Sequence, residues 1–199
     1  MKVKVVFLGD SGVGKTCIIS RFSKNEFIDD RTSTLGGVCT SKIVDLPGSD
    51  TVIAYEIWDT AGQELYHSLA SMYYQEATVA IVVYDITMRT TFEGLKRWVK
   101  ELKEKGPENV KLVIAANKSD RIDSEEVEME EGKKYAEECD AIFAITSAKD
   151  GTGIKEMFDS ITAKLGLTVT ESNRKKSRHS GTLLVASARK TKEEKSNCC

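Results

Sequence analysis

A glycine-rich loop between a strand and a helix most restricts the folds open to this chain of 199 residues. The run Val3–Leu8, which is apolar except for Lys4, predicts a buried strand, and residues 15–24 carry a helical pattern. Between them, residues 9–16 read Gly-Asp-Ser-Gly-Val-Gly-Lys-Thr, a complete G-x-x-x-x-G-K-[ST] motif. Such glycines let successive backbone N–H groups curl around a phosphate, and the helix N-terminus adds its positive dipole end. The motif therefore predicts a phosphate-binding loop in an α/β protein.

Two side chains of this loop have chemistry of their own. In such a motif Lys15 reaches the β and γ oxygens of a nucleotide, and the hydroxyl of Thr16 ligates Mg²⁺. We therefore expect Lys15 to be catalytic and the following residues to bind the nucleotide: Gly12, Val13, Gly14, Lys15, Thr16 and Cys17. A glycine turn beside a chance lysine is the alternative, and placement between a strand and a helix argues against it.

Strand and helix patterns alternate along the rest of the chain. We predict strands followed by helices at 79–84 and 92–105, at 110–116 and 124–138, and at 141–145 and 153–165. This alternation is typical of βαβ units and a mostly parallel sheet. Residues 40–45 and 52–58 instead predict an antiparallel hairpin, because Pro47-Gly48 marks a turn between them. The sequence thus predicts an α/β fold with a mixed sheet.

The predicted third helix has an acidic start. Asp123, Ser124 and two following glutamates resemble a helix N-terminus, where acidic residues meet the positive end of the dipole. We therefore interpret the acidic run Glu125–Glu131 as a solvated helix face rather than a binding site.

Charge and composition divide the chain into two parts. Residues 1–167 carry a net charge of −7, and residues 168–199 carry +5. The acidic body argues against nucleic acid as a partner, whereas the basic tail is compatible with an anionic membrane. No apolar run is long enough to span a membrane, and the first residues are unlike a secretory leader, so we expect a cytosolic context without disulfides. The polar composition after Gly166 predicts a disordered tail over residues 167–199.

A second motif indicates which base the nucleotide carries. The strand pattern ending at Ala116 is followed by Asn117-Lys118-Ser119-Asp120. In this context the carboxylate of Asp120 can accept hydrogen bonds from two adjacent donors, which guanine offers at N1 and N2 and adenine does not. A mismatched base would leave the carboxylate unpaired, at a cost of about 1 to 3 kcal/mol where it is buried. The motif therefore favours a guanine nucleotide.

With these two motifs and two further segments, the chain resembles the small Ras-like GTPases. The phosphate loop, Trp58–Glu64, Asn117–Asp120 and Thr146–Lys149 occur in that family's order, and the resemblance covers residues 2 to about 166. Within the family the chain resembles the Rab proteins, because Tyr73-Tyr74, residues 83–87 and a terminal Cys-Cys match Rab patterns. Residues 66–69 and 72–74 are most similar to those of endosomal Rabs.

The resemblance implies a fold and a set of roles. It implies a three-layer P-loop GTPase domain over residues 1–166, with a six-stranded, mostly parallel sheet, one antiparallel edge strand and helices on both faces. Thr34 would add a second hydroxyl to Mg²⁺, and Asp59 would hold the ion through water. Gly62 would contact the γ-phosphate, and Gln63 would orient the attacking water as the catalytic residue.

The remaining implied roles concern the base and the partners. The residues implied to contact the base are Phe27, Asn117, Lys118, Asp120, Ser147, Ala148 and Lys149, with the N–H of Ala148 toward the base oxygen. The implied partners are an exchange factor, a GTPase-activating protein, effectors at residues 31–39 and 58–76, a prenylation escort and a dissociation inhibitor. No internal arginine finger is evident, so we expect slow GTP hydrolysis in a switch of vesicle traffic.

Several residues depart from the Rab pattern. Cys39 stands where the pattern has a Phe that, with the counterparts of Trp58 and Tyr73, forms an aromatic patch for effectors. Arg31, Leu65 and Glu76 also differ. Because the nucleotide and Mg²⁺ positions all match, these changes indicate altered partners rather than a lost activity.

The terminal Cys198-Cys199 resembles the Rab double-geranylgeranylation signal and is not a Cys-a-a-X box. Two long chains would anchor the protein stably at the cytoplasmic face of endomembranes, endosomes included, while the rest of its cycle takes place in the cytosol. A pair of unmodified cysteines is the alternative reading.

Two other functions stay open at this stage. A GTP-binding membrane scaffold with negligible hydrolysis is one alternative, because Cys39, Leu65 and Glu76 flank the expected switches. A P-loop kinase is the other, but it would need a lid and an acceptor site for which no residues are evident.

Overall fold

The computed structural model describes residues 1–27, 37–46, 51–60 and 73–167. Several predictions fall outside these residues: Thr34, Gly62, Gln63, the turn at 47–50 and the terminal Cys198 and Cys199. The described residues contain six strands, which we number β1 Lys2–Leu8, β2 Val38–Asp45, β3 Val52–Asp59, β4 Val79–Asp85, β5 Lys111–Asn117 and β6 Ile142–Ile145. The α-helices are α1 Lys15–Lys24, α2 Arg89–Lys105, α3 Met129–Glu138 and α4 Ile154–Lys164, and Ser119–Ser124 form a 3₁₀ helix.

The strands form one sheet in the order β2-β3-β1-β4-β5-β6. β2 pairs antiparallel with β3, and all other pairs are parallel. The Leu46 N–H donates to the Thr51 carbonyl at 3.1 Å, which closes the end of the β2–β3 hairpin. The prediction of a six-stranded, mostly parallel sheet with one antiparallel edge strand is confirmed.

Both faces of the sheet are covered, because alternate side chains of each central strand point to opposite sides. On one side, Val5 and Phe7 of β1 belong to a core shared with Ile18 of α1 and Phe158 of α4. On the other side, Val6 and Leu8 of β1 belong to a core shared with helices α2 and α3. The apolar sides of α2 and α4 are buried, which confirms the expected helices on both faces.

The predicted start of the third helix at Asp123-Ser124 is wrong. Residues 119–124 form a 3₁₀ helix that is kinked at Arg121, and α3 begins only at Met129. Between them Val127 is fully buried, and the N–H groups of Glu126 and Val127 donate to the Ile86 carbonyl at 2.8 and 3.2 Å. These tertiary contacts hold the segment in a non-helical path despite its helix-like acidic sequence.

No α-helix in the described ranges is long and apolar enough to cross a membrane.

Candidate functional site

The predicted site residues meet at the carboxyl-terminal edge of the parallel strands. β1 leads into the glycine-rich loop, β5 ends at Asn117, and β6 leads into residues 146–149. β4 pairs with both β1 and β5, and β6 pairs with β5, so these three loops leave the same edge of the sheet. Ligands of open α/β sheets bind at this edge.

The glycine-rich loop needs its glycines for conformation and space. Gly12 and Gly14 have φ values of 79° and 97°, which L side chains rarely adopt. A side chain at Gly14 would also collide with the amide nitrogen of Asn117. The loop ends at the N-terminus of α1, where the Ile18 N–H donates to the Gly14 carbonyl at 2.9 Å. Within the loop, Val13 is fully buried in the core that α1 and α4 share, and Cys17 of α1 packs against this core.

Lys15 lies inside this loop rather than in solvent. Its side chain is buried, and its Nζ donates to the carbonyls of Gly9 at 2.7 Å and Asp10 at 2.9 Å. Burial lowers the pKa of Lys15 to about 8, against the opposing effect of the carboxylates of Asp59 and Asp10. An anion arriving at the loop would therefore stabilise the charged form of this amine.

Thr16 and Asp59 bring two oxygen ligands together beside Lys15. The Thr16 hydroxyl donates to Asp59 Oδ2 at 2.6 Å, across 43 residues of sequence. Asp59 is the last residue of β3 and is buried. A hydroxyl and a carboxylate are the hard oxygen donors that Mg²⁺ prefers, so this pair fits a magnesium site.

Asn117 connects the phosphate loop to the loop of residues 146–149 that follows β6. Its side-chain Nδ2 donates to the Val13 carbonyl at 2.7 Å, and its Oδ1 accepts from the Thr146 hydroxyl at 3.2 Å. The side chain is buried, and its partners lie 104 and 29 residues away in sequence. One amide therefore fixes the glycine-rich loop relative to residues 146–149.

The next residues of the motif are held in place by their own contacts. Lys118 has a φ of 67°, and its Nζ forms an ion pair with the buried carboxylate of Asp85 at 2.6 Å. Asp120 is exposed, and its Oδ1 accepts a hydrogen bond from the Ser147 hydroxyl at 2.7 Å. Asp120 and Ser147 thus lie together, as the resemblance implies for a base-binding pair.

Residues 146–149 form a tight loop after β6. The Thr146 N–H donates to the Ala116 carbonyl at 2.8 Å, and the Ser147 N–H donates to the Thr152 carbonyl at 3.0 Å. Ala148 is buried, whereas Lys149 is exposed. Phe27, the last described residue after α1, is half-buried and packs against the core that α1 and α4 share.

Sequence reasoning missed two sets of contacts that brace these loops. Arg21 of α1 donates hydrogen bonds to the backbone carbonyls of Ala148 at 3.0 Å and Lys149 at 2.6 Å. The indole N–H of Trp98 on α2 donates to Asp10 Oδ1 at 2.9 Å. Neither contact follows from a motif, because the partners lie 127, 128 and 88 residues apart.

Cys39, Trp58 and Tyr73 belong to the surface that we expect effectors to bind. Cys39 is exposed on β2 and faces Trp58 of β3 in the strand register. The ring of Trp58 lies 5.7 Å from that of Tyr73. The two aromatic residues of the expected patch are therefore adjacent, with a thiol in place of the third ring.

Comparisons with known proteins agree with this geometry. The Ras family model matches residues 4–166. Mouse Ras-related protein Rab-31 is 46% identical over 164 residues, which cover 82% of this chain and 83% of the mouse protein. Ras-related protein RABF2b of Arabidopsis thaliana is 43% identical over 165 residues, or 83% and 82% of the two chains. Ras-related protein Rab-5A of Dictyostelium discoideum is 44% identical over 167 residues, or 84% and 82%.

Proposed function

Because the chain belongs to the Rab branch of the Ras family of small GTPases, we propose that it is a membrane-cycling switch of vesicle traffic, at endosomes in particular. As a member of that family it binds guanine nucleotide and hydrolyses GTP. In the proposed cycle, loss of the γ-phosphate changes the segments that contact it, and effector binding ends. Hydrolysis by the chain alone is slow, because no arginine is evident in the sequence as an internal finger, and Arg97, which reaches the phosphate loop, is paired there with the Asp10 carboxylate at 3.8 Å.

The observation that carries the proposal is the position of Asn117. Its amide donates to the phosphate loop at Val13 and accepts from Thr146 in the loop of residues 146–149, which we call the base loop. A protein that bound only phosphate would need no such link to residues 146–149. The link supports a single ligand that carries both a phosphate and a base.

We assign the contacts of that ligand as follows. Gly12–Cys17 bind the phosphates, with Lys15 at the β and γ oxygens. Asp120 accepts from the two donors of guanine, with its carboxylate held by Ser147, and Ala148 donates its N–H to the base oxygen. Lys118 and Phe27 line the base, and Lys149 completes the loop.

The hydrolytic step depends on residues beyond the described ranges as well. We assign Gln63 to orient the attacking water, and Gly62 and Thr34 to contact the γ-phosphate and the metal in the GTP state. Thr16 would ligate Mg²⁺ through its hydroxyl and Asp59 would hold the ion through water, since the two side chains lie together, hydrogen-bonded at 2.6 Å, and offer the oxygen atoms that Mg²⁺ prefers. When bound, the ion neutralises charge on the β- and γ-phosphate oxygens. The protein residues position these groups and exclude water from the buried Lys15.

The proposed membrane cycle separates two parts of the chain. Residues 1–166 form the GTPase domain, and residues 167–199 form a basic tail that carries lipid on Cys198 and Cys199. The partners are an exchange factor, a GTPase-activating protein, a prenylation escort, a dissociation inhibitor and effectors that bind residues 31–39 and 58–76. The exposed Cys39 beside Trp58 and Tyr73 makes this effector surface less aromatic than the Rab pattern.

The test is single-turnover hydrolysis of preloaded GTP by the full chain, beside its Gln63→Leu variant, in Mg²⁺ and then in EDTA. We expect slow, Mg²⁺-dependent turnover that the variant loses, because leucine cannot orient water. Tight GTP binding without turnover in either protein would instead favour the scaffold function. Equal turnover in both proteins would exclude the assigned role of Gln63.

A further inference from the structure

Arg21 connects helix α1 to the loop that follows β6. Its Nε donates to the Ala148 carbonyl at 3.0 Å, and its Nη2 donates to the Lys149 carbonyl at 2.6 Å. Its Nη1 donates to the backbone carbonyl of Asn25 at 3.1 Å and to the side-chain oxygen of Asn25 at 3.2 Å. One guanidinium therefore joins the C-terminal end of α1 to two successive peptide groups of the loop.

Only an arginine can make this set of contacts. The guanidinium is planar and presents its donors at fixed angles, so it binds the Ala148 and Lys149 carbonyls together. Because each peptide group is planar, holding these two carbonyls fixes the two peptide groups that follow Ala148, including the position of the Ala148 Cα. The preceding peptide group carries the Ala148 N–H, and its Ser147 carbonyl accepts from the Gly151 N–H at 2.9 Å. Ala148 is buried, and its backbone N–H is the group assigned above to the base oxygen.

The position of Arg21 along α1 gives this contact a further consequence. α1 begins at Lys15 and Thr16, and Arg21 lies six residues after Lys15, about 9 Å along the helix axis. The N-terminal end of the helix faces the phosphate loop, and Arg21 holds the base loop. A single rigid helix thus sets the distance between the two halves of the nucleotide site.

We propose that Arg21 is a positioning residue for guanine: it holds Ala148 so that its N–H meets the base oxygen, and thereby sets nucleotide affinity. This inference rests on the proposed nucleotide contacts of Ala148. Arg21 itself touches neither the base nor the phosphates, because its described donors are all directed to backbone and side-chain oxygens of the protein.

The experiment compares GDP with 6-thioguanosine diphosphate on the full chain. Sulfur at position 6 weakens the acceptor toward Ala148 but keeps the two donors that Asp120 reads. We expect Arg21→Ala to raise the GDP dissociation constant about tenfold, the equivalent of losing the one hydrogen bond from the Ala148 N–H to the base oxygen. The dissociation constant of the thio nucleotide should rise by less than about threefold, because the bond that Arg21 orients is already weakened.

Arg89→Ala is the matched control. Arg89 donates to both carboxylate oxygens of Glu131 and to the Glu126 carbonyl, so its loss removes a similar set of hydrogen bonds away from residues 146–149. We expect its GDP dissociation constant to stay within about twofold of the wild type. Far-UV circular dichroism and thermal melts check that each variant is folded. Arg21→Lys serves if Arg21→Ala does not fold, because one amine cannot bind both carbonyls; the same nucleotide-selective loss is expected.

The outcomes distinguish a failure of the role proposed for Arg21 from a failure of the nucleotide contact assigned to Ala148. If the wild type discriminates against sulfur and Arg21→Ala weakens both nucleotides equally, Arg21 is merely structural and the inference is overturned. If Arg89→Ala reproduces the selective loss, the inference is also overturned. If the wild type binds GDP no better than the thio nucleotide, the assigned contact of Ala148 is itself wrong, and the inference falls with it.

Discussion

At Gly94 in helix α2, helix propensity and tertiary contacts have opposite effects on the stability of an alanine variant. In the interior of an exposed helix, replacing glycine by alanine stabilises a protein by about 0.5 to 1 kcal/mol. Gly94, however, is buried against the phosphate loop. A Cβ at this position would lie 2.6 Å from Asp10 Cγ and 2.8 Å from Asp10 Oδ1, and closer still to Oδ2. Gly94→Ala therefore has to displace the carboxylate of Asp10.

The size of the effect follows from what Asp10 does. Its Oδ1 accepts the indole N–H of Trp98 at 2.9 Å, and Trp98 is only 3% exposed. A hydrogen bond to a charged group contributes about 1.5 to 3 kcal/mol, so losing it outweighs the gain in helix propensity. We expect Gly94→Ala to lower the free energy of unfolding by about 1 to 2 kcal/mol. GDP dissociation should also become faster, because Asp10 belongs to the phosphate loop.

The assay is urea unfolding of the full chain at a fixed excess of GDP, with GDP dissociation followed by fluorescence of a labelled nucleotide. Asp10→Ala supplies the matched background, because it removes the atoms that the new methyl group would meet. In that background Gly94→Ala should be neutral or stabilising by up to about 1 kcal/mol. A stabilising Gly94→Ala in the wild-type background would refute the reasoning, since propensity alone would then account for the result.

Three further predictions test other parts of the account. Asp120→Ala should weaken GTP binding at least tenfold without improving ATP binding, since it removes an acceptor for two guanine donors worth about 1.5 to 3 kcal/mol; competition binding measures this, and unchanged GTP affinity would revive a kinase function. Tyr84→Phe should leave the free energy of unfolding unchanged or raise it by up to about 1 kcal/mol, because the Tyr84 hydroxyl is buried without a hydrogen-bond partner among the described residues; a loss above that size in urea unfolding would show that the hydroxyl is paired. Replacing Cys198 and Cys199 by serine should move the protein from membrane to supernatant in cell fractionation, and unchanged membrane binding would exclude those thiols as the anchor.

Most of the fold could be predicted because its determinants are local. Strands β4 and β5 are nearly continuous apolar runs, as is typical of strands buried on both faces, and β1 ends in such a run at Val5–Leu8. The apolar stripes of α2 and α4 repeat at helical spacing. The start of α3 could not be predicted in this way. Asp123 and Ser124 look like a helix start, but burial of Val127 and backbone bonds to Ile86 override that preference.

The site shows the same division between local and distant determinants. The phosphate loop and the Asn117–Asp120 motif are contiguous in sequence, so their chemistry could be inferred before the fold was known. The roles of Arg21 and Trp98 could not be predicted from the sequence, because their hydrogen-bond partners are distant along the chain. Trp98 and Asp10 are 88 residues apart, and Arg21 and Lys149 are 128 residues apart. Asp85 is similar: only the ion pair with Lys118 at 2.6 Å reveals that it supports the base motif.

The central claim is that Asn117 joins the phosphate loop and the base loop into one site for a guanine nucleotide. The most direct measurement is equilibrium competition of GDP and ADP for the full chain, beside Asn117→Ala. We expect GDP to outcompete ADP by about three orders of magnitude or more, because ADP would leave the polar groups that face guanine unpaired. The Asn117 variant should lose GDP affinity without loss of its helix content. Comparable affinity for the two nucleotides, or unchanged GDP affinity in the variant, would contradict the account.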